Sequence, residues 1–143
     1  MFRILFLTIA LLLSACGSSD DSEVFDSVQL VMPGFRNTSE TAVYRDTASW
    51  DALWEANADK NVAKPEIDFS KRMVLAVFMV HSSGCGNSEL LDVVSTANGV
   101  SVYYRDNRKI PGPANVGCTA VITHTSHGVS IPVTTKPISF IRQ

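Results

Sequence analysis

The sequence predicts an α+β domain, with one helix packed on a mostly antiparallel β-sheet of five to seven strands. Three observations carry that expectation. Trp50, Leu53 and Trp54 fall at i, i+3 and i+4, the spacing of one helical face. Met73-Val74-Leu75-Ala76-Val77-Phe78-Met79-Val80 is an unbroken apolar run of strand length, as in a central strand buried on both faces. Asn98-Gly99 lies between two β-rich runs and predicts a hairpin whose turn takes positive φ at both residues.

Residues 24–32 put Val28, Leu30 and Met32 on one face, which suits a first strand ended by Pro33-Gly34. Residues 41–44 suit a short second strand. The helix is expected at about residues 48–58, with Asp46 or Thr47 capping its first turn. Its two tryptophans read as core anchors that pin it to the sheet. Residues 60–65 form a loop, and Asp68 organises the turn into the apolar strand. Gly84 and Gly86 end that strand within residues 81–88. The hairpin arms are residues 89–97 and 100–105, with Val100, Val102 and Tyr104 on the buried face of the second arm. Asp106-Asn107-Arg108-Lys109 reads as a polar turn. Residues 110–117, with Pro111 and Pro113, form a long loop that serves recognition or plain connection. Residues 118–125 are rich in Thr and Val and predict a strand. Residues 129–133 and 138–141 close the sheet, Pro132 and Pro137 suiting edge positions.

The N-terminus has a different character. Arg3 precedes a short apolar stretch, residues 4–13, and small residues follow, the pattern of a secretory signal peptide. The stretch falls short of the roughly 20 apolar residues that a membrane-spanning helix needs. Its ending, Leu13-Ser14-Ala15-Cys16, resembles the lipobox of bacterial lipoproteins. That resemblance implies cleavage before Cys16, lipid on its thiol and acylation, with palmitate among the acyl groups, of its new amine. Gly17-Ser18-Ser19-Asp20-Asp21-Ser22-Glu23 is small and acidic and reads as a flexible tether. Gly17 after the lipid cysteine resembles the signal for outer-membrane sorting in enteric-type bacteria. The expected organisation is a signal peptide over residues 1–15, lipidated Cys16 and tether over 16–23, and one domain over 24–143.

Composition narrows the function classes. Loss of residues 1–15 removes Arg3 as the one charge, so a chain of −2 becomes a mature protein of −3. A weakly acidic domain without a basic stripe argues against nucleic acid as a partner. It also offers no polybasic support at a membrane, so the lipid must hold it there.

Of the three cysteines, lipidation uses Cys16. Cys85 and Cys118 remain as an even pair in an exported, oxidising compartment, where a disulfide is expected. The alternative is a metal or small-ligand site built from His81, Cys85, Cys118, His124 and His127. Its spacing is poor. No Cys-x-x-Cys is present, and His124 and His127 lie three apart in a strand and point to opposite faces, His124 on that of Cys118. Nucleophilic catalysis has no Gly-x-Ser-x-Gly elbow, and Ser82 and Ser83 beside His81 give no oriented base. No catalytic residue and no cofactor is expected.

Trp50-Asp51-Ala52-Leu53-Trp54, followed by Pro65-Glu66-Ile67-Asp68-Phe69-Ser70-Lys71-Arg72-Met73-Val74-Leu75-Ala76-Val77, resembles the C-terminal domain of the PrcB-like protease-complex-subunit family. Val129-Ser130-Ile131-Pro132 and Pro137-Ile138-Ser139-Phe140 look like its closing strands, so the resemblance spans residues 49–141. Ser83-Gly84-Cys85-Gly86-Asn87 departs from the family's cysteine-free turn. The resemblance implies a non-catalytic, lipid-anchored envelope protein that binds and stabilises another exported protein, such as a protease.

Overall fold

A strand with apolar side chains on both faces needs a cover on each side, and residues 73–79 are buried throughout. The covers are a helix on one face and a second sheet on the other. The structure, a computed structural model, describes residues 25–30, 38–57, 59, 61–107 and 117–143. The signal peptide, Cys16, the tether, the Pro33-Gly34 stop and the loop with Pro111 and Pro113 lie outside the described residues. Among the described residues no helix is long and apolar enough to cross a membrane.

The elements run β1 (Asp26–Val28), β2 (Glu40–Tyr44), α1 (Thr47–Asn57), β3 (Arg72–His81), β4 (Asn87–Thr96), β5 (Gly99–Asn107), β6 (Thr123–Pro132) and β7 (Ile138–Arg142). Among the described residues this is the expected α+β architecture, one helix and seven strands, mostly antiparallel. The strands fall into two sheets, a four-stranded one ordered β1-β6-β3-β2 and a three-stranded one ordered β4-β5-β7. Among the described residues only the β5–β7 pair is parallel.

Alternation along β3 divides the core in two. Val74, Ala76 and Phe78 face α1 with Val28, Leu30, Trp50, Leu53 and Trp54. Met73, Leu75, Val77 and Met79 face the second sheet with Val93, Val100, Val102, Val129 and Ile131. The layers are therefore helix, four-stranded sheet, three-stranded sheet.

The helix forms where its cap and its apolar face agree. Asp46 Oδ1 accepts the Ser49 amide at 2.8 Å, which satisfies one of the free N–H groups of the first turn. Trp50 meets Tyr44, Trp54 and Phe69 edge-on at centroid distances of 5.6, 5.8 and 6.4 Å. Its indole N–H donates to the Pro65 carbonyl at 3.2 Å and so fixes the loop after the helix. Asp68 organises the next turn. Its carbonyl accepts the amides of Lys71 and Arg72, and its carboxylate accepts the Ser70 amide and hydroxyl. Those Ser70 bonds hold the Asp68 carboxyl below the usual carboxylate range. At the start of β3, Arg72 ties three strands, donating to Ser130 Oγ at 2.5 Å and pairing with Asp26 at 2.8 Å.

Three local expectations are corrected. Residues 118–122 are not a strand, and β6 instead begins at Thr123 and runs unbroken through Gly128 to Pro132. Bonding to the turn after β3 holds the start of that segment, and Gly128 serves close approach rather than a break. A Cβ there would sit 2.9 Å from Leu30 Cδ1 and 3.1 Å from the Val28 carbonyl. The hairpin turns at Ala97-Asn98, because Thr96 pairs with Gly99 inside the ladder. Gly99 admits β7, since a Cβ would lie 3.0 Å from the Pro137 carbonyl that accepts the Val100 amide. Asp106 belongs to β5 and points inward, not to a polar turn.

Trp50→Ala removes the side chain that joins helix, β2 and the following loop. It is expected to cost about 3–5 kcal/mol, read as a lower denaturant midpoint at an unchanged m-value. A loss below about 1 kcal/mol would show that the helix layer does not depend on it.

Candidate functional site

The apolar filling between the sheets stops short of one end. There the inward positions become polar: His81 from β3, Thr125 and His127 from β6, Ser88 from β4, Asp106 from β5 and Arg142 from β7. The register makes this meeting unavoidable. His81 pairs with Thr123 at the end of the β3–β6 ladder, and Ser88 pairs with Asp106 at the end of the β4–β5 ladder.

The contacts form one line. The Arg142 guanidinium binds Asp106 Oδ2. Asp106 Oδ1 lies 3.3 Å from His81 Nδ1, and both side chains are 3% exposed. His81 Nε2 lies 3.0 Å from Thr125 Oγ1. Thr125 Oγ1 meets Ser88 Oγ, and Ser88 Oγ lies 3.0 Å from His127 Nε2. Burial lowers the pKa of the His127 imidazole, outweighing Ser88 and Glu89, which favour its charged form.

A turn stapled to the neighbouring segment closes this end. Cys85 and Cys118 form the expected disulfide, with Cα atoms 5.4 Å apart. The Gly84 amide donates to the Thr119 carbonyl at 2.9 Å, and the Thr123 hydroxyl donates to the Ser83 carbonyl at 3.1 Å. Gly86 lies flat on the imidazole, since a Cβ there would fall 2.1 Å from His81 Cβ. A cavity of about 430 Å³ opens at this rim, lined by His81, Ser82, Ser83 and Ile122 among others. Val121 and Ile122, just past the staple, are 51% and 66% exposed.

The residues proposed from sequence separate into two groups. His81 and His127 are linked through Thr125 and Ser88. His124 occupies the opposite face of β6, as its odd spacing from His127 requires. It shares no strand face with Cys118, because Cys118 precedes the strand. Among the described residues no three of His, Cys, Asp and Glu converge to hold a metal ion. Cys16 lies outside the described residues.

Sequence reasoning missed Asp106, Ser88, Thr125 and Arg142. A signal for two of them was present. Asp106 continues the inward series of Val100, Val102 and Tyr104, and Thr125 continues that of Ile131, Val129 and His127. Asp106, His81 and Thr125 have the order of a carboxylate–imidazole–hydroxyl relay. Here the Thr125 hydroxyl contacts the Ser88 hydroxyl.

Comparison with protein-family models, with curated proteins and with solved structures finds no match to this chain. The resemblance described above therefore stands on the quoted residues alone.

Replacing both cysteines, Cys85→Ser with Cys118→Ser, opens a loop whose ends are 33 residues apart. Loop entropy sets the expected loss at about 3.5–4 kcal/mol in denaturant unfolding. Equal stability of the reduced and oxidised protein would contradict the staple.

Proposed function

We propose that this chain is a lipid-anchored, non-enzymatic envelope protein whose domain binds another exported protein. One observation carries the reading. Val121 and Ile122 are two adjacent apolar side chains, more than half exposed, on a segment fixed by a disulfide to a rigid sandwich. A preorganised apolar anchor of this kind loses little entropy on docking, and a few such residues carry most of an interface's energy. Two further features support it. The leader and Cys16 would place the domain at a membrane surface. The resemblance of residues 49–141 makes a protease the favoured class of partner.

Crosslinking in the native envelope tests this directly. The lipidated protein should capture a reproducible exported partner in the membrane fraction. Ile122→Asp should reduce capture at least about tenfold, the equivalent of a 1.4 kcal/mol loss, while leaving the unfolding midpoint unchanged. Absence of any reproducible partner, or equal capture by Ile122→Asp, would count against the proposal.

A further inference from the structure

Among the described residues β4 is an outer strand of the three-stranded sheet and pairs with β5 alone. The direction of its unpaired backbone groups follows from β5. The Val100 amide donates to the Pro137 carbonyl, and the Tyr104 carbonyl accepts the Gln143 amide. The even-numbered residues of β5 thus turn their backbone groups toward β7. Backbone groups alternate sides along a strand, so the odd-numbered residues bond β4. Through the register these reach Asn87, Glu89, Asp92, Val94 and Thr96. Ser88, Leu90, Val93 and Ser95 therefore turn their N–H and C=O groups away from the sheet. Local caps mark two of these positions. The Ser88 amide donates to Asn87 Oδ1 at 2.9 Å, and the Val93 amide donates to Asp92 Oδ1 at 2.8 Å. Each cap stands in for the carbonyl of a neighbouring strand.

This edge borders a groove. A cavity of about 680 Å³ is lined by residues of β1, β4 and β6, with Phe25, Val28, Leu90 and Val129 among its apolar side chains. Long edge strands are commonly guarded by lysine or proline, and β4 contains neither. We propose that β4 takes up an extended segment of another exported protein as an added strand, with apolar side chains on one face and lysine or arginine on the other. The inference rests on the reading that the domain binds an exported protein. It adds a second surface to that reading, since neither Val121 nor Ile122 lines the groove.

The chemistry of the occupant comes from the alternation of β4. Leu90 and Val93 pack into the core between the sheets, so their neighbours Glu89 and Asp92 face outward. An added strand repeats that alternation. One set of its side chains enters the apolar groove, and the other stands beside Glu89 and Asp92, where opposite charges attract across strands. Asp92 is exposed and makes no salt bridge among the described residues. Once the Val93 amide bonds the new strand, the Asp92 carboxylate is released for a cation. Arg105 and Asn107 both bond Glu89 at Oε1, which leaves Oε2 for a second donor. The groove lining holds these two carboxylates and no lysine or arginine. A second copy of the chain fits this edge poorly, because β4 against β4 sets carboxylates beside carboxylates.

The probe is a short synthetic peptide that alternates valine and lysine, added to the full-length 15N-labelled protein in a non-ionic detergent. Binding should slow hydrogen exchange at the amides of Ser88, Leu90, Val93 and Ser95. The amides of Glu89 and Val94, already paired with β5, should change less. Alternate amides of a strand face opposite sides, so the peptide N-methylated at its valines and the one N-methylated at its lysines should differ. One should bind at least about tenfold more weakly than the parent, and the other should match it. A peptide with glutamate in place of lysine should bind severalfold more weakly, and Asp92→Lys should narrow that difference. No binding of the lysine peptide would overturn the proposal. So would exchange slowed elsewhere with the four β4 amides unchanged, or equal binding of the lysine and glutamate peptides by the wild-type protein. Ile122→Asp should leave peptide binding intact. Envelope capture that persists without peptide binding would overturn this edge site and leave the Val121–Ile122 surface standing.

Discussion

Burial of β3 on both faces is the constraint from which the rest of this structure follows. Seven consecutive side chains, residues 73–79, are 0–4% exposed. At about 1.5–3 kcal/mol for each large side chain, their burial is comparable to or larger than the net stability of a whole domain. One helix can cover only one face of a strand. The other face requires a second apolar layer, which β4, β5 and β7 provide. The helix layer, the second sheet and the separate core clusters seen among the described residues are consequences of that one run of residues.

Where the apolar run ends, the chemistry changes. His81 is the residue at which β3 stops being aliphatic, and the strands packed over it contribute Ser88, Asp106 and Arg142. The contacts within this buried polar cluster run in one line from Arg142 through Asp106, His81, Thr125 and Ser88 to His127. The disulfide closes the same end from outside and leaves Val121 and Ile122 projecting from it. Core, polar line and exposed apolar pair thus lie in sequence along one axis of the sandwich. On the proposed reading, the interior of the domain holds a docking surface steady.

Much of the fold was legible because it rests on periodicity. The i, i+3, i+4 tryptophans placed the helix within one residue at each end, and the aliphatic run placed β3. The departures have physical causes that no local pattern records. Gly128 and Gly99 look like breakers in the sequence, yet each belongs to a strand and is closely approached there, Gly128 by Leu30 and the Val28 carbonyl and Gly99 by the Pro137 carbonyl. The bulge between Leu90 and Asp92 resets the alternation of β4, so Val93 is buried while Leu91 and Val94 are exposed. The division into two sheets depends on long-range pairing, above all the parallel joining of β7 to β5. The disulfide was readable from the cysteine count and the oxidising compartment that the leader pattern led one to expect. The polar line was not, because its members are scattered from His81 to Arg142 and only register brings them together.

Native-state hydrogen exchange tests the central role of β3 most directly. If its double burial organises the fold, the amides of residues 74–79 exchange only through global unfolding and outlast those of the edge strand β4. Slower exchange in β4 or β7 than in β3 would contradict the account, because it would place the stable nucleus in the second sheet.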